Sequence, residues 1–450
     1  MTEPAPVSIA PVCVGWSRAA SATRLVCALS LLWAAACSKG ATSPGAQSPD
    51  QPGEGTSSPA AAPAGADGGQ QQISERDSVA EGAAPRPEMS ASAREAYQAG
   101  LRAFGVGDLA GAKAQFLAAS QADDKAYQAH YSLGVVEERL GAPAAAMSAY
   151  RKALDVVPDY ERAAAAYGIL LARQGEPDRA VTDLKTRLGR LPSSATLTAA
   201  LAEVKSIQGE SGEAQRLAQE ALKKDTDYRP AMVTLARDHF RHRRLDLALY
   251  TLKGILDGYG PENPPRDKNN AEARLLRGLI YRERNLRGPA IEELSRAVEI
   301  RPDLVEARLQ LATYMLEAGN AEGALPHLEA AVRYDNKNVL ARLNLGDAYR
   351  LLDRPADARR ELEWVLKAAP NRPEVHYNLG LLYLLSKDMP GVTATQAADR
   401  AIDHLEQYKA RGVRGGPDDA EELITRAKTR KALLDAQAQE SKAAQAKETP

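Results

Sequence analysis

The sequence predicts an all-α solenoid: stacked helix pairs, with one further helix closing the open end. Three observations predict it. A small residue returns every 34 positions, at Gly100, Gly134, Gly168, Ala202 and Ala236, and again at Gly278, Ala312, Gly346 and Gly380. Twelve positions after most of these stands an alanine (Ala112, Ala146, Ala180, Ala214, Ala248, Ala290, Ala324, Ala358), and four further on a bulky residue, such as Phe116, Tyr150, Leu184 or Leu362. Aromatics make up only 5% of the chain, with three phenylalanines, against a β-sandwich or a large α/β core.

The elements follow in chain order. Arg18 and Arg24 precede an apolar run from Leu25 to Ala36. The run is too short to span a bilayer as a helix but suits the apolar region of a signal peptide, giving residues 1–36 that role. Ala34, Ala35 and Ala36 lead directly into Cys37. This resembles the lipobox of bacterial lipoproteins, which implies that Cys37 is lipidated and begins the mature chain. A lipoprotein cysteine carries a diacylglycerol, and two acyl chains anchor stably where one does not. A plain signal peptide cut nearby, or an uncleaved anchor, is the alternative. Ser38 is not the aspartate of inner-membrane retention signals, which favours the outer membrane.

Residues 37–92 hold the cysteine and a stretch rich in Ala, Pro, Gly, Ser and Gln. Such a segment buries too little apolar surface to fold. It reads as a disordered tether whose coil reach is on the order of 40 Å, at about 5–6 Å × √n.

Residues 93–412 contain nine units, beginning near 93, 127, 161, 195, 229, 271, 305, 339 and 373. Each reads as two helices, with apolar residues at helical spacing in stretches such as EVHYNLGLLYLL. Gly107, Gly141, Gly175, Gly209 and Gly319 supply the left-handed residue that ends the first helix. Prolines such as Pro158, Pro192, Pro302 and Pro370 stop the second. Insertions near 263–270 and 388–396 break the period; the first is a tolerated loop or a partner contact. In residues 413–450, Pro417, Asp418 and Asp419 predict the start of a capping helix with the apolar stripe Leu423, Ile424, Ala427 and Leu434, and a flexible tail beyond Gln437.

LLRGLIY, LNLGDAY and YNLGLLY, with Tyr281, Tyr349 and Tyr383, and the longer QAHYSLGVVEERLGAPAAAMSAYRKALDVVPDY, resemble the tetratricopeptide repeat. The resemblance implies a right-handed superhelical solenoid of about nine helix pairs, whose first helices line a concave groove. Carried onto this chain, the peptide-binding positions include Tyr97, Tyr131, Arg237, Phe240, Arg241, Leu279, Arg282, Arg350 and Tyr377. That set implies apolar ends and a basic centre near Arg237, Arg241 and Arg282, suited to an acidic-hydrophobic peptide or a C-terminal carboxylate. The other possibility is that these arginines pair with Glu and Asp inside the array.

The chain has no Gly-rich phosphate loop, no H-E-x-x-H and no serine elbow, and no cysteine follows Cys37. His239 and His242 are two ligands at most, too few for a metal site. A net charge of −1 and a pI near 6.6 argue against a nucleic-acid binder. The expectation is a non-enzymatic scaffold or adaptor without cofactor or metal, bound to the membrane by its lipid and to protein partners by its groove. The layout is similar to periplasm-facing outer-membrane tetratricopeptide lipoproteins that assemble envelope machines, most of all those of myxobacterial gliding motility. An adaptor that recruits an envelope hydrolase, or a pilus or secretin assembly factor, is the alternative.

Overall fold

The computed structural model describes residues 86–411 and 419–448. The expected signal peptide, Cys37 and the tether as far as residue 85 lie outside the described residues. Eighteen of the helices form nine antiparallel pairs: α1 (Ala91–Gly105) with α2 (Leu109–Ala122), α3 (Tyr127–Arg139) with α4 (Pro143–Val156), and α5 (Glu161–Arg173) with α6 (Pro177–Arg190). There follow α7 (Ala195–Ile207) with α8 (Ser211–Lys224), α9 (Arg229–Arg241) with α10 (Leu245–Leu256), and α11 (Ala271–Glu283) with α12 (Arg287–Ile300). The last three are α13 (Val305–Glu317) with α14 (Ala321–Tyr334), α15 (Val339–Leu351) with α16 (Pro355–Ala368), and α17 (Pro373–Leu385) with α18 (Ala394–Ala410). A final helix, α19 (Ala420–Glu448), packs on α18. The fold is all-α, and each helix packs mainly on those next to it in sequence, the arrangement of a solenoid.

The 34-residue period has a steric cause. The small residue of the first helix lies under the bulky residue of the second. A Cβ added at Gly100 would sit 2.5 Å from the Phe116 ring, and one at Gly346 would sit 2.7 Å from Leu362 Cγ. Removing that carbon lets the two helices of a pair cross closely, so the bulky side chain is fully buried. In the ninth pair the turn is longer, and Leu405 takes over the role against Gly380.

The inter-helix turns keep one backbone geometry with varied residues. Gly107, Gly141, Gly175, Gly209 and Gly319 have positive φ, as their position requires. In the fifth, sixth and eighth pairs the same left-handed position is held by Arg243 (φ 60°), Asn285 (φ 59°) and Asp353 (φ 54°). Neighbouring repeats dictate the turn there, and it overrides local preference.

The capping stripe is built as Ala420, Ile424 and Ala427 buried, with Leu423 partly buried beside them. Beyond Gln437, where the sequence reads as a flexible tail, α19 runs as helix to Glu448. Its last turns are rich in Ala, Gln, Lys and Glu, strong helix formers that continue a helix already nucleated upstream. The predicted initiator Pro417 lies outside the described residues.

Two further contacts matter, one inside the ninth pair and one far apart in sequence. His376 Nδ1 and His404 Nδ1 approach to 3.1 Å between α17 and α18, with the His404 ring stacked parallel to Tyr383. And Arg139, at the end of α3, forks onto Asp303, in the loop before α13, at 2.6 and 2.8 Å across 164 residues of sequence.

Candidate protein-interaction surface

The first helices of the pairs (α1, α3, α5 and so on) carry the expected groove residues, and the structure places these in three settings. At the amino-terminal end, Tyr97 packs 5.5 Å from Phe116, and Tyr131 lies between Tyr150 and Tyr160 at 5.8 and 5.3 Å. Both are buried, and burial pushes the Tyr131 hydroxyl well above the usual phenol range. At the other end, Tyr377 is covered by α19. Its ring is 5.0 Å from Tyr408, and its hydroxyl donates to both carboxylate oxygens of Asp419 at 3.0 and 3.1 Å. The capping helix therefore occupies the apolar end of the groove.

In the middle, the arginines are paired. Arg237 donates to Glu203 at 2.8 Å and to Glu272 at 3.4 Å. Arg241 donates to Ser206 at 2.7 Å and lies 3.6 Å from Glu203. Arg350 forks onto Asp347, and Arg282 donates to Gln310. Glu203 is only 3% exposed at its side chain. Burial alone would raise its carboxyl, but Arg237, Arg241 and Arg173 outweigh that and hold it below the usual carboxylate range. Attraction to Glu203, the largest influence, raises the Arg237 guanidinium despite burial. These residues form an alternating charge lattice paired within the chain, with Glu203 Oε2 buried and left without a hydrogen-bond partner.

Phe240 and Leu279 are the apolar groove residues that remain half-exposed, alongside the paired Arg237, Arg241, Arg282 and Arg350. Phe240 leans on the core patch of the fifth pair and Leu279 on that of the sixth. They stand on the first helices of adjacent pairs, and two apolar side chains with an arginine on the same helix as Leu279 suit an apolar side chain next to an acidic one.

A second exposed apolar group lies on α10 and the loop after it. Leu247 (50% exposed) and Tyr250 (64%) stand one turn apart, and Tyr259 (45%) brings its ring within 5.0 Å of Tyr250. The loop is held by a bridge between Gly260 and Asn263 and by Arg266 on Asp227. Its signal in the sequence was the broken period; the tyrosine pairing across it had none. Among the described residues, no three His, Cys, Asp or Glu side chains gather as metal ligands, and no helix is long and apolar enough to cross a membrane.

Family models for a helical repeat match two parts of this chain. Residues 97–161 and 315–382 each match family models described as tetratricopeptide repeat. DnaJ homolog subfamily C member 3 of Homo sapiens is 26% identical over 333 residues, covering 70% of this chain and 60% of that protein. Protein O-mannosyl-transferase TMTC1 of Homo sapiens is 25% identical over 230 residues, covering 51% of this chain and 26% of that one. The chain thus spans 60% or less of the length of these curated relatives. Among solved structures, the anaphase-promoting complex hetero-tetramer Cut9–Hcn1 is 16% identical with a TM-score of 0.49, covering 76% of this chain and 78% of the other.

Proposed function

We propose that this array of tetratricopeptide repeats is a non-catalytic scaffold, anchored through a lipid on Cys37 to the outer membrane and facing the periplasm. In this reading it binds protein partners and helps assemble a cell-envelope machine. The observation that carries the binding role is the half-exposed strip of Phe240, Leu279 and Arg282 on the first helices of two adjacent pairs. Phe240 and Leu279 pack partly on the core patches of their own pairs and keep part of each side chain exposed, which a partner can cover. The acidic-hydrophobic class of partner follows from that strip. The envelope location rests on the apolar run Leu25–Ala36, the three alanines before Cys37 and the polar tether behind it. Within the envelope, gliding motility is the machine whose lipoproteins the layout resembles.

The binding surface is tested by placing a photocrosslinking amino acid at Leu279 in the full chain in its own cells, with Tyr250 as a second site. One discrete protein adduct at Leu279, lost with Arg282→Glu, is the expected result. Adducts at Tyr250 alone would move the binding surface to α10 and its loop. The anchor is tested by Cys37→Ala, which is expected to release the protein from membranes; retention after a carbonate wash would reject lipidation.

A further inference from the structure

We propose that Arg139 and Asp303 form a clasp that holds the central groove closed, and that an acidic segment of a partner opens it by taking over the arginines. The inference rests on the reading of the concave face as a protein-binding surface. Among the described residues each helix packs mainly on its near neighbours in sequence, so this long-range join between the second and seventh pairs stands apart. The join is small and mostly polar. Arg139 lies 4.6 Å over the Phe104 ring and forks onto Asp303, whose side chain is 4% exposed. One loop further on, Asp335 comes so near the turn after α3 that a Cβ on Gly141 would meet it at 3.3 Å. Tyr334 packs against the amino-terminal core patch.

From Asp303 the charges continue inward. Arg301 donates to Asp303 at 3.2 Å and to Glu272 at 3.1 Å, and Glu272 also receives Arg237. Burial alone would raise the Asp303 carboxyl, but Arg301 and Arg139 hold it low and ionised. Each link alternates in sign, so the clasp and the central lattice are one continuous network.

The physics of such a network makes it exchangeable. A buried ion pair is close to break-even, because desolvation offsets most of the attraction. Replacing the Asp303 carboxylate by a partner's carboxylate therefore changes little at the arginines, and any apolar contact made alongside tips the balance. Buried pairs are weakly screened, so ordinary salt leaves the clasp shut. The opening signal is an acidic chain rather than ionic strength.

The test uses the full chain with Cys13, Cys27 and Cys37 replaced by alanine and spin labels at two introduced cysteines, Ala144→Cys and Lys337→Cys, both exposed positions flanking the join. A single short distance is expected, unchanged by moderate salt. Arg139→Gln removes the cross-link while Asp303 keeps Arg301, so the fold is retained; circular dichroism melting checks this. The distance is expected to lengthen in Arg139→Gln and in Asp303→Asn, and to stay short in Arg139→Lys. Octaglutamate is the acidic probe: it should lengthen the distance in the wild-type chain, and Asp303→Asn should bind it about tenfold more tightly, the worth of one freed charge-assisted contact. An unchanged distance in folded Arg139→Gln and Asp303→Asn overturns the clasp. Lengthening in both variants with no octaglutamate binding upholds the clasp and removes the acidic-partner reading of the groove.

Discussion

Glu203 and Arg237 hold the same position in successive repeats, 34 residues apart, and meet at 2.8 Å, with the carboxylate accepting from the guanidinium. One repeat thus supplies the acid and the next the base, and Glu203 serves Arg241 as well. Glu203→Ala is expected to cost about 3 kcal/mol, since removing one member of a buried pair leaves the other charges uncompensated. Glu203→Gln, which keeps an acceptor, should cost less. Urea unfolding of both variants checks the order; equal and negligible losses would show that the lattice contributes nothing net.

The close crossing within each pair gives a signed prediction for glycine. Gly346→Ala would push a carbon to 2.7 Å from Leu362 Cγ and is expected to destabilise by about 1–3 kcal/mol through overpacking. Gly288, inside α12, has open space where its Cβ would be. Gly288→Ala is expected to stabilise by about 0.4–1 kcal/mol by restricting the unfolded chain. Thermal denaturation of the two alanine variants should move in opposite directions.

Arg243 is the bulkiest residue at the left-handed turn position, and its partner Glu283 is met at a highly exposed site, where an ion pair is worth little. Arg243→Gly should relieve strain and stabilise by about 1 kcal/mol. A lower melting midpoint would mean that the surface pair outweighs the backbone strain.

The histidine pair predicts a pH dependence. Burial, and after it the neighbouring His376, holds His404 down to about 4, against an ordinary value of 6.5. Asp403 opposes this and Arg400 reinforces it. The unfolded chain takes up the proton first, so stability from this group is intact above about 6.5 and declines as pH falls towards 4. Melting midpoints measured between those limits should drop for the wild type, and the drop should flatten in His404→Phe.

The fold was legible because its cause is periodic. A small residue under a bulky one, repeated along the chain, fixes both the pairing of helices and their number. The alignment of Gly100 with Phe116 and of Gly346 with Leu362 is the same fact written twice. The surface was less legible. Exposure at Phe240 and Leu279 follows from helix register, but the pairing of Arg237 with Glu203 and Glu272 depends on how steeply neighbouring repeats rotate, which no single repeat encodes. Arg139 and Asp303 had no signal at all: their meeting is set by the accumulated rotation of the repeats between them. The run to Glu448 carries no apolar pattern for the sequence to show.

That meeting also changes how the array should fail. A strictly linear stack unravels from its ends, each unit answering only to the next, and its stability is a sum of local terms. Here a tie joins early and late repeats, so the intervening units lie inside a closed loop of contacts. Fraying that starts at α1 must break the tie before it reaches α13, and removal of the last three pairs strips Asp335 from the second pair and Tyr334 from the amino-terminal core patch. The middle of this protein should therefore melt as one block, with unravelling confined to the segments outside the loop.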